Sequence, residues 1–524
     1  MRSRLVAFAR IFPLALALMV LAVCFGAAAP AGADTPGAAR ALRALLVAQQ
    51  AQLTAADGAA SDRFGHAVAV SGDTVVVGAP YDDIAASVHQ GSAYVFVRSG
   101  SSWSLQAKLT AADGAANDIF GHAVAISGDT IVVGADADDA ATVDQGSAYV
   151  FTRSGTSWSE QQKLTAADGA VSDYFGSSVA VSGDTVVVGA WGDDVGANAN
   201  QGSAYVFVRS GTSWSAQQKL TAADGAASDY FSSSVAISGG TAVVGAPNDD
   251  VGAREDQGSA YVFVRSGTSW SEQQKLTADD GVAGDYFGFS VAVSGNTVVV
   301  GAPWKIVGVE AEQGAAYVFT RSGATWSQQA QLIGANGAAG DDFGYSVAIS
   351  GAAVLVGAYG ADVNPNADQG SACLFVRSGA TWSQQAQLTA ADGATDDYFG
   401  FSVAISRATM VVGARMDHVG VTSDQGSASV FRIARPARPA ARSPKGRISS
   451  RRPVFRWRAA AGAATYEVRI YKGSRLLKRQ TGIARTSWKC TKRLPRQAWL
   501  TWKVRARNVA GYGAWSGQLR FKVR

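Results

Sequence analysis

The chain has little cysteine, methionine or histidine: three, four and four residues in 524. Cys24 falls in the amino-terminal apolar run. The other two, Cys373 and Cys490, fall in segments assigned below to different domains, so no disulfide framework is implied and both are expected as buried thiols. Stability must then come from packing. The histidines, His66, His89, His122 and His418, lack metal-type spacing, and neither a Gly-x-Ser-x-Gly elbow nor a phosphate-binding loop is present. His66 and His122 hold equivalent places and read as strand residues rather than a catalytic pair. Glycine is abundant, at 59 residues, which suits short strands joined by tight turns and makes an all-β chain the expectation.

Arg2, Arg4 and Arg10 precede an apolar run from Ile11 to about Ala29, and Ala31-Gly32-Ala33 follows it. This reads as a secretion signal over residues 1–33, with the mature chain starting near Asp34 and no transmembrane segment after cleavage. A retained membrane anchor is the alternative.

Charge is divided along the chain. From Arg432 to Arg524 there are 26 Lys and Arg against one acid, Glu467, leaving 20 basic and 40 acidic residues elsewhere. Such a basic tail should favour an anionic polymer or the chain's own acidic surface. Nucleic acid is not expected as a partner.

An aromatic recurs at Phe64, Phe120, Phe175, Phe231, Phe287, Phe343 and Phe399, in steps of 55 or 56 residues. In the third unit, Phe175-Gly176 opens an alternating strand, Gly183-Asp184 turns into apolar Thr185–Ala190, and Gln201–Val208 and Trp214–Leu220 complete four strands. The second of these is expected to be buried on both faces, and the last half-exposed at an outer edge. Seven such units without intervening helices predict a seven-bladed β-propeller over residues 44–431. The seventh unit lacks its Trp strand. Gln49–Leu53 copies Gln384–Leu388, so the chain start is expected to supply the last blade's outer strand.

Phe64-Gly65 with Gly78-Ala79-Pro80, Phe287-Gly288 with Gly301-Ala302-Pro303, and Phe231-Ser232 with Gly245-Ala246-Pro247 resemble the FG-GAP repeats of integrin α-subunit propellers and their bacterial relatives. The resemblance covers about Gln49 to Phe431. It implies calcium between the Phe-Gly and Gly-Ala-Pro strands, but Ser71-Gly72-Asp73-Thr74 is too short to wrap an ion, so that loop is missing here.

Antiparallel order places the short hairpins on one rim and the longer, acidic loops on the other. Asp82, Asp83, Asp138, Asp139, Asp193, Asp194, Asp249 and Asp250 are the candidate metal ligands, with calcium the cofactor such carboxylates would take. The competing reading is turn chemistry and solubility. Asp57 with Asp62, and the equivalent pairs up to Asp224 with Asp229, add to this rim. Tyr81, Trp191, Trp304 and Tyr359 are candidate stacking platforms or, alternatively, plugs between blades. Lys305, beside Trp304, and Arg415 and His418 break the repeat, and such loop residues are where specificity resides.

Residues 432–442, rich in Pro, Ala and Arg, read as a semi-rigid spacer. The strands around Trp457, Tyr466-Glu467-Val468 and Trp502–Asn508 predict a small β-sandwich over 443–524, and these residues resemble a fibronectin type III domain. The expected function is a secreted or cell-envelope binding and adhesion protein, not an enzyme, whose propeller rim takes a protein or glycan. A secreted carbohydrate-active or phosphate-ester hydrolase using rim carboxylates is the alternative.

Overall fold

A computed structural model describes residues 47–524; the expected signal and Cys24 lie outside them. Among the described residues all regular structure is strand, and no helix is long and apolar enough to cross a membrane.

Seven four-stranded antiparallel sheets form the propeller. In the third, Ser178–Ser182, Thr185–Ala190, Ser203–Ser210 and Ser213–Leu220 pair in chain order. The innermost strands of successive blades touch in a closed cycle, the seventh returning to the first. Every residue of Thr185–Ala190 is buried, as a strand covered on both faces requires.

The glycines of the motif are explained at the blade interfaces. A Cβ on Gly78 would lie 2.0 Å from the carbonyl oxygen of Gly121, and one on Gly121, at φ 100°, would lie 2.3 Å from that of Ser92. Phe-Gly of one blade thus meets Gly-Ala of the preceding one at a distance only glycine allows. Ser232 breaks the pattern at φ 80° and compensates with its hydroxyl, which donates to Ser203 O and accepts from Ala190 N. Each motif phenylalanine is buried, and Phe175 packs edge-on against Tyr205 and Phe207 of its own blade.

The outer strands are less exposed than their alternation suggests. Trp214 is buried, its indole N–H donates to Gln161 of the preceding blade, and its backbone exchanges hydrogen bonds with Gln162. The same clasp recurs at Trp270 and Trp326. Val47–Leu53 pairs antiparallel with Ser427–Ile433 and completes the last blade, closing the ring with the two ends of the propeller segment.

The carboxy-terminal strands form a sandwich. Ala440–Ser443, Val454–Arg458 and Ser487–Lys489 make one sheet; Gly446–Ile448, Leu519–Val523, Trp499–Asn508, Thr465–Lys472 and Arg475–Ile483 make the other. Phe455, Trp457, Trp502 and Phe521 fill the core between them.

The expected spacer is corrected by the structure. Arg432 and Ile433 belong to the last blade and Ala440–Ser443 to the sandwich, so residues 434–439 alone connect them. Even these are held, by Asn508 donating to Ala434 O and Ala437 N donating to Ala461 O. Val509 and Ala510 pack against the core that contains Ile433. The sandwich therefore sits at the short-hairpin rim, beside Gly72, Asp73 and Arg407, and the long-loop rim stays open.

Cys373 and Cys490 are free and buried.

Candidate functional site

The acidic loops of the long-loop rim are candidate cation ligands or turn residues by sequence. In blade three, Asp193 receives hydrogen bonds from Ser203 and from the Tyr205 hydroxyl, and Lys219 Nζ lies 2.6 Å from Asp193 and 2.7 Å from Asp168. Blades one, two and four repeat this with Asp82, Asp57 and Lys108; Asp138, Asp113 and Lys163; and Asp249, Asp224 and Lys275. Burial alone would lower the lysine pKa values, but hydrogen bonds to two aspartates each raise them. Burial likewise opposes ionisation of Asp57, Asp113, Asp168 and Asp224, yet the lysine and tyrosine hydrogen bonds hold them below the usual carboxylate range. In each of these blades one ammonium group bridges the two carboxylates.

The neighbouring aspartates face their own loops. Asp83, Asp139, Asp194 and Asp250 accept the backbone N–H groups of His89, Asp144, Asn200 and Asp256, whose φ angles are all positive. The two members of each candidate metal pair thus serve different partners. Among the described residues no group of three or more His, Cys, Asp or Glu is placed to hold a metal ion. Of the two readings the sequence left open for these eight aspartates, the contacts found are those of lysine pairing and turn bonding. Added calcium is accordingly expected to leave the melting midpoint of the purified protein unchanged; a saturable rise in calorimetry would show that calcium displaces the lysines.

Lys305 also moves from ligand candidate to structural residue. It stands in blade five where every other blade but the sixth, which has Ala361, carries the inner aspartate, and it is buried, with Nζ 2.9 Å from Asp285 and 2.5 Å from Asp280 O. The outer strand of that blade offers Gln331 instead of lysine, and Gln331 donates to Asp280. The cation has moved from the outer strand to the loop after Ala302 while the pairing survives. His418 is exposed and bonded to its own loop, with Nδ1 3.1 Å from Met416 O.

The remaining candidates gather around the propeller axis. The residue after each Phe-Gly pair approaches its counterparts in the next blades. Ring centroids are 4.7 Å apart for Phe289–Tyr345, 5.0 Å for Tyr345–Phe401, 5.1 Å for Phe401–His66 and 4.9 Å for His66–His122. Blades three and four have Ser177 and Ser233 in this position, and the ring of large side chains opens there.

An open cavity of about 390 Å³ lies at that gap, lined by Trp191, Tyr230, Tyr286, Phe289 and Trp304, with Ser177, Ser233, His122 and Asn248 as polar groups. Its walls are preassembled. Trp191 stacks on Tyr174 at 4.7 Å and 7° and meets Tyr230 edge-on, while Trp304 meets Tyr286 and Phe289 edge-on. The tyrosines precede the motif phenylalanines and have φ of 55° at Tyr174, 52° at Tyr230 and 53° at Tyr286. A left-handed backbone at a bulky residue is strained, and here it recurs where the side chains frame the mouth. These side chains remain partly exposed, so ring surface is available to a ligand.

Trp191 and Trp304 thus line the same cavity. Tyr81 and Tyr359 lie elsewhere on the mouth: Tyr81 meets His89 edge-on, and Tyr359 packs on Tyr345, Tyr398 and Phe401. Tyr230, Tyr286 and Phe289 were not singled out from the sequence. For Phe289 the available signal was the variation of the residue after Phe-Gly between His, Ser, Phe and Tyr; Tyr230 and Tyr286 stand immediately before the motif phenylalanine instead.

In comparisons with known proteins, no curated protein matches the chain. The FG-GAP repeat family matches seven segments: 47–96, 103–151, 158–207, 214–263, 270–319, 326–375 and 382–431. Each segment begins on the outer strand of one blade and ends on the third strand of the next. These matches cover more than half of the chain and fall on the seven observed blades, and the protein belongs to the FG-GAP repeat family.

Proposed function

We propose that the protein is an extracellular or cell-envelope binding protein that takes a glycan at the axial mouth of its long-loop rim. The observation that carries this reading is the half-exposed cup of Trp191, Tyr230, Tyr286, Phe289 and Trp304. Its lining holds flat aromatic faces, hydroxyls and an amide, with Pro247 the one aliphatic side chain. Aromatic faces pack against the C–H faces of sugar rings, and a few fixed polar groups orient the hydroxyls. Binding rather than hydrolysis is favoured because the rim carboxylates proposed for catalysis are engaged by lysines in blades one to four.

The basic sandwich, which we read as a fibronectin type III-like module, supplies the second contact. Lys503, Arg505 and Arg507 alternate outward from buried Trp502, Val504 and Ala506, and Arg469, Lys503 and Arg505 all lie over Trp515. This cationic face suits an anionic envelope polymer. Docked at the opposite rim, it would tether the chain and leave the mouth free.

The cup is tested by glycan-array binding followed by calorimetry on the best neutral oligosaccharide. Trp191→Ala with Trp304→Ala is expected to remove about 1–3 kcal/mol of binding, by the scale of an aromatic contact. Retained affinity in a folded double variant would sink the assignment.

A further inference from the structure

The side of the axial mouth facing away from the cup, built by blades six, seven and one, is cationic. Arg415 stands where the Gly-Ala-Pro turn has proline, and its guanidinium lies 3.7 Å from the centre of the Phe401 ring. Arg63, immediately before Phe64, lies 4.5 Å from the centre of the Tyr81 ring. Among the described residues no carboxylate forms an ion pair with either, whereas Arg98, Arg153 and Arg209 on the opposite rim each hold an aspartate.

Buried polar atoms at the mouth also lack partners. Arg415 Nε and His66 Nδ1 are shielded from solvent without a hydrogen bond, whereas buried His122 Nδ1 faces an Asp136 oxygen at 3.2 Å. An arginine Nε–H can only donate, so the partner missing at Arg415 is an acceptor. Leaving such a donor unmet is unfavourable, and a carboxylate would satisfy it with a charge-assisted bond. The carboxyls nearest the mouth are otherwise disposed. Asp136 lies 3.2 Å from His122, and burial raises its pKa; Asp342 lies beside Tyr359, and burial pushes it up to about 6.

This cationic surface is continuous with the cup. His122 at the edge of the cavity packs on His66, His66 packs on Phe401, and Phe401 carries Arg415. A ligand spanning two or three sugar residues would reach both sides.

We propose that the axial mouth recognises an acidic polysaccharide, one residue stacking in the aromatic cup and the carboxylate of a neighbouring uronate held by Arg415 and Arg63. The proposal rests on the glycan-binding reading above and narrows its ligand.

The test uses the full mature chain with short oligogalacturonates, the same oligomers after carboxyl reduction, and a capped glutamate-rich peptide. Arg415→Gln and Arg63→Gln are each expected to weaken the acidic oligomer about tenfold and to leave any binding of the reduced one unchanged. Arg63→Gln guards against a folding defect at the more enclosed Arg415. Arg447→Gln with Arg475→Gln, on the exposed basic sandwich, should leave the oligomer affinity unchanged; a drop there instead would assign the carboxylate to the tail and overturn the proposal. So would equal weakening of both oligomers, no binding of the acidic oligomer by the parent protein, or arginine-dependent preference for the peptide. If the parent protein binds only the reduced oligomer, and Trp191→Ala abolishes that binding, the cup reading stands while the uronate proposal fails.

Discussion

Deletion of Val47–Leu53 is expected to abolish the single cooperative unfolding of the propeller or lower its melting midpoint by more than any point substitution on the rim. This strand pairs with Ser427–Ile433 and buries Leu53 and Ala51 against Phe64 and Val430. Without it, Ser427–Ile433 becomes an unprotected edge with a row of unpaired backbone groups, an invitation to aggregation. Leu53→Ala alone should cost about 2–5 kcal/mol, the usual range for a buried leucine. Calorimetry of the two variants checks both statements. An unchanged midpoint after the deletion would mean that the ring closes without the strand.

Glu467→Gln is expected to destabilise the carboxy-terminal sandwich by about 3–5 kcal/mol, the scale for removing one partner of a buried ionic cluster. Glu467 is fully buried, yet its strand neighbours Tyr466 and Val468 face the sandwich core, so its carboxylate lies on the outer face beneath a cover of arginines. Arg469 and Arg479 donate to one oxygen, and Arg505 donates twice to the other. Burial disfavours this charge, but the arginine hydrogen bonds outweigh it and hold the pKa below the usual range. Glutamine keeps the shape and removes the charge, leaving three guanidinium groups facing one another. Denaturant titration should show an early transition for the sandwich, partly restored by added salt, with the propeller transition unmoved. A curve identical to that of the parent protein would refute the account.

Much of this architecture was legible because each blade repeats its own instructions. The 55- or 56-residue spacing, the Phe-Gly and Gly-Ala pairs, and the copied Gln49–Leu53 segment are local signals, and together they dictated both blade number and closure. The fate of the acids was not local. Lys108 lies 51 residues from Asp57 and meets it only after four strands have paired, so acidic loops read alone left a cation surface and turn chemistry both open. Lys305 was misread for the same reason, since its exchange with Gln331 is visible only across a folded blade. The cup was half legible. Trp191 and Trp304 stood out as loop aromatics, whereas Tyr230 and Tyr286 reach the mouth through a left-handed backbone that a tyrosine does not announce. The Pro/Ala/Arg segment read as a spacer because composition reports stiffness and says nothing of docking; Asn508, 74 residues from Ala434, fastens it.

Because each sequence repeat gives its first strand to the blade before it, the chain is organised like links that each overlap their predecessor. A duplicated or lost repeat would carry its own coupling with it: the new copy completes the blade upstream and is completed by the unit downstream. In a gene with seven nearly identical segments, unequal recombination can therefore change the number of blades while the terminal strand that seals the circle remains untouched.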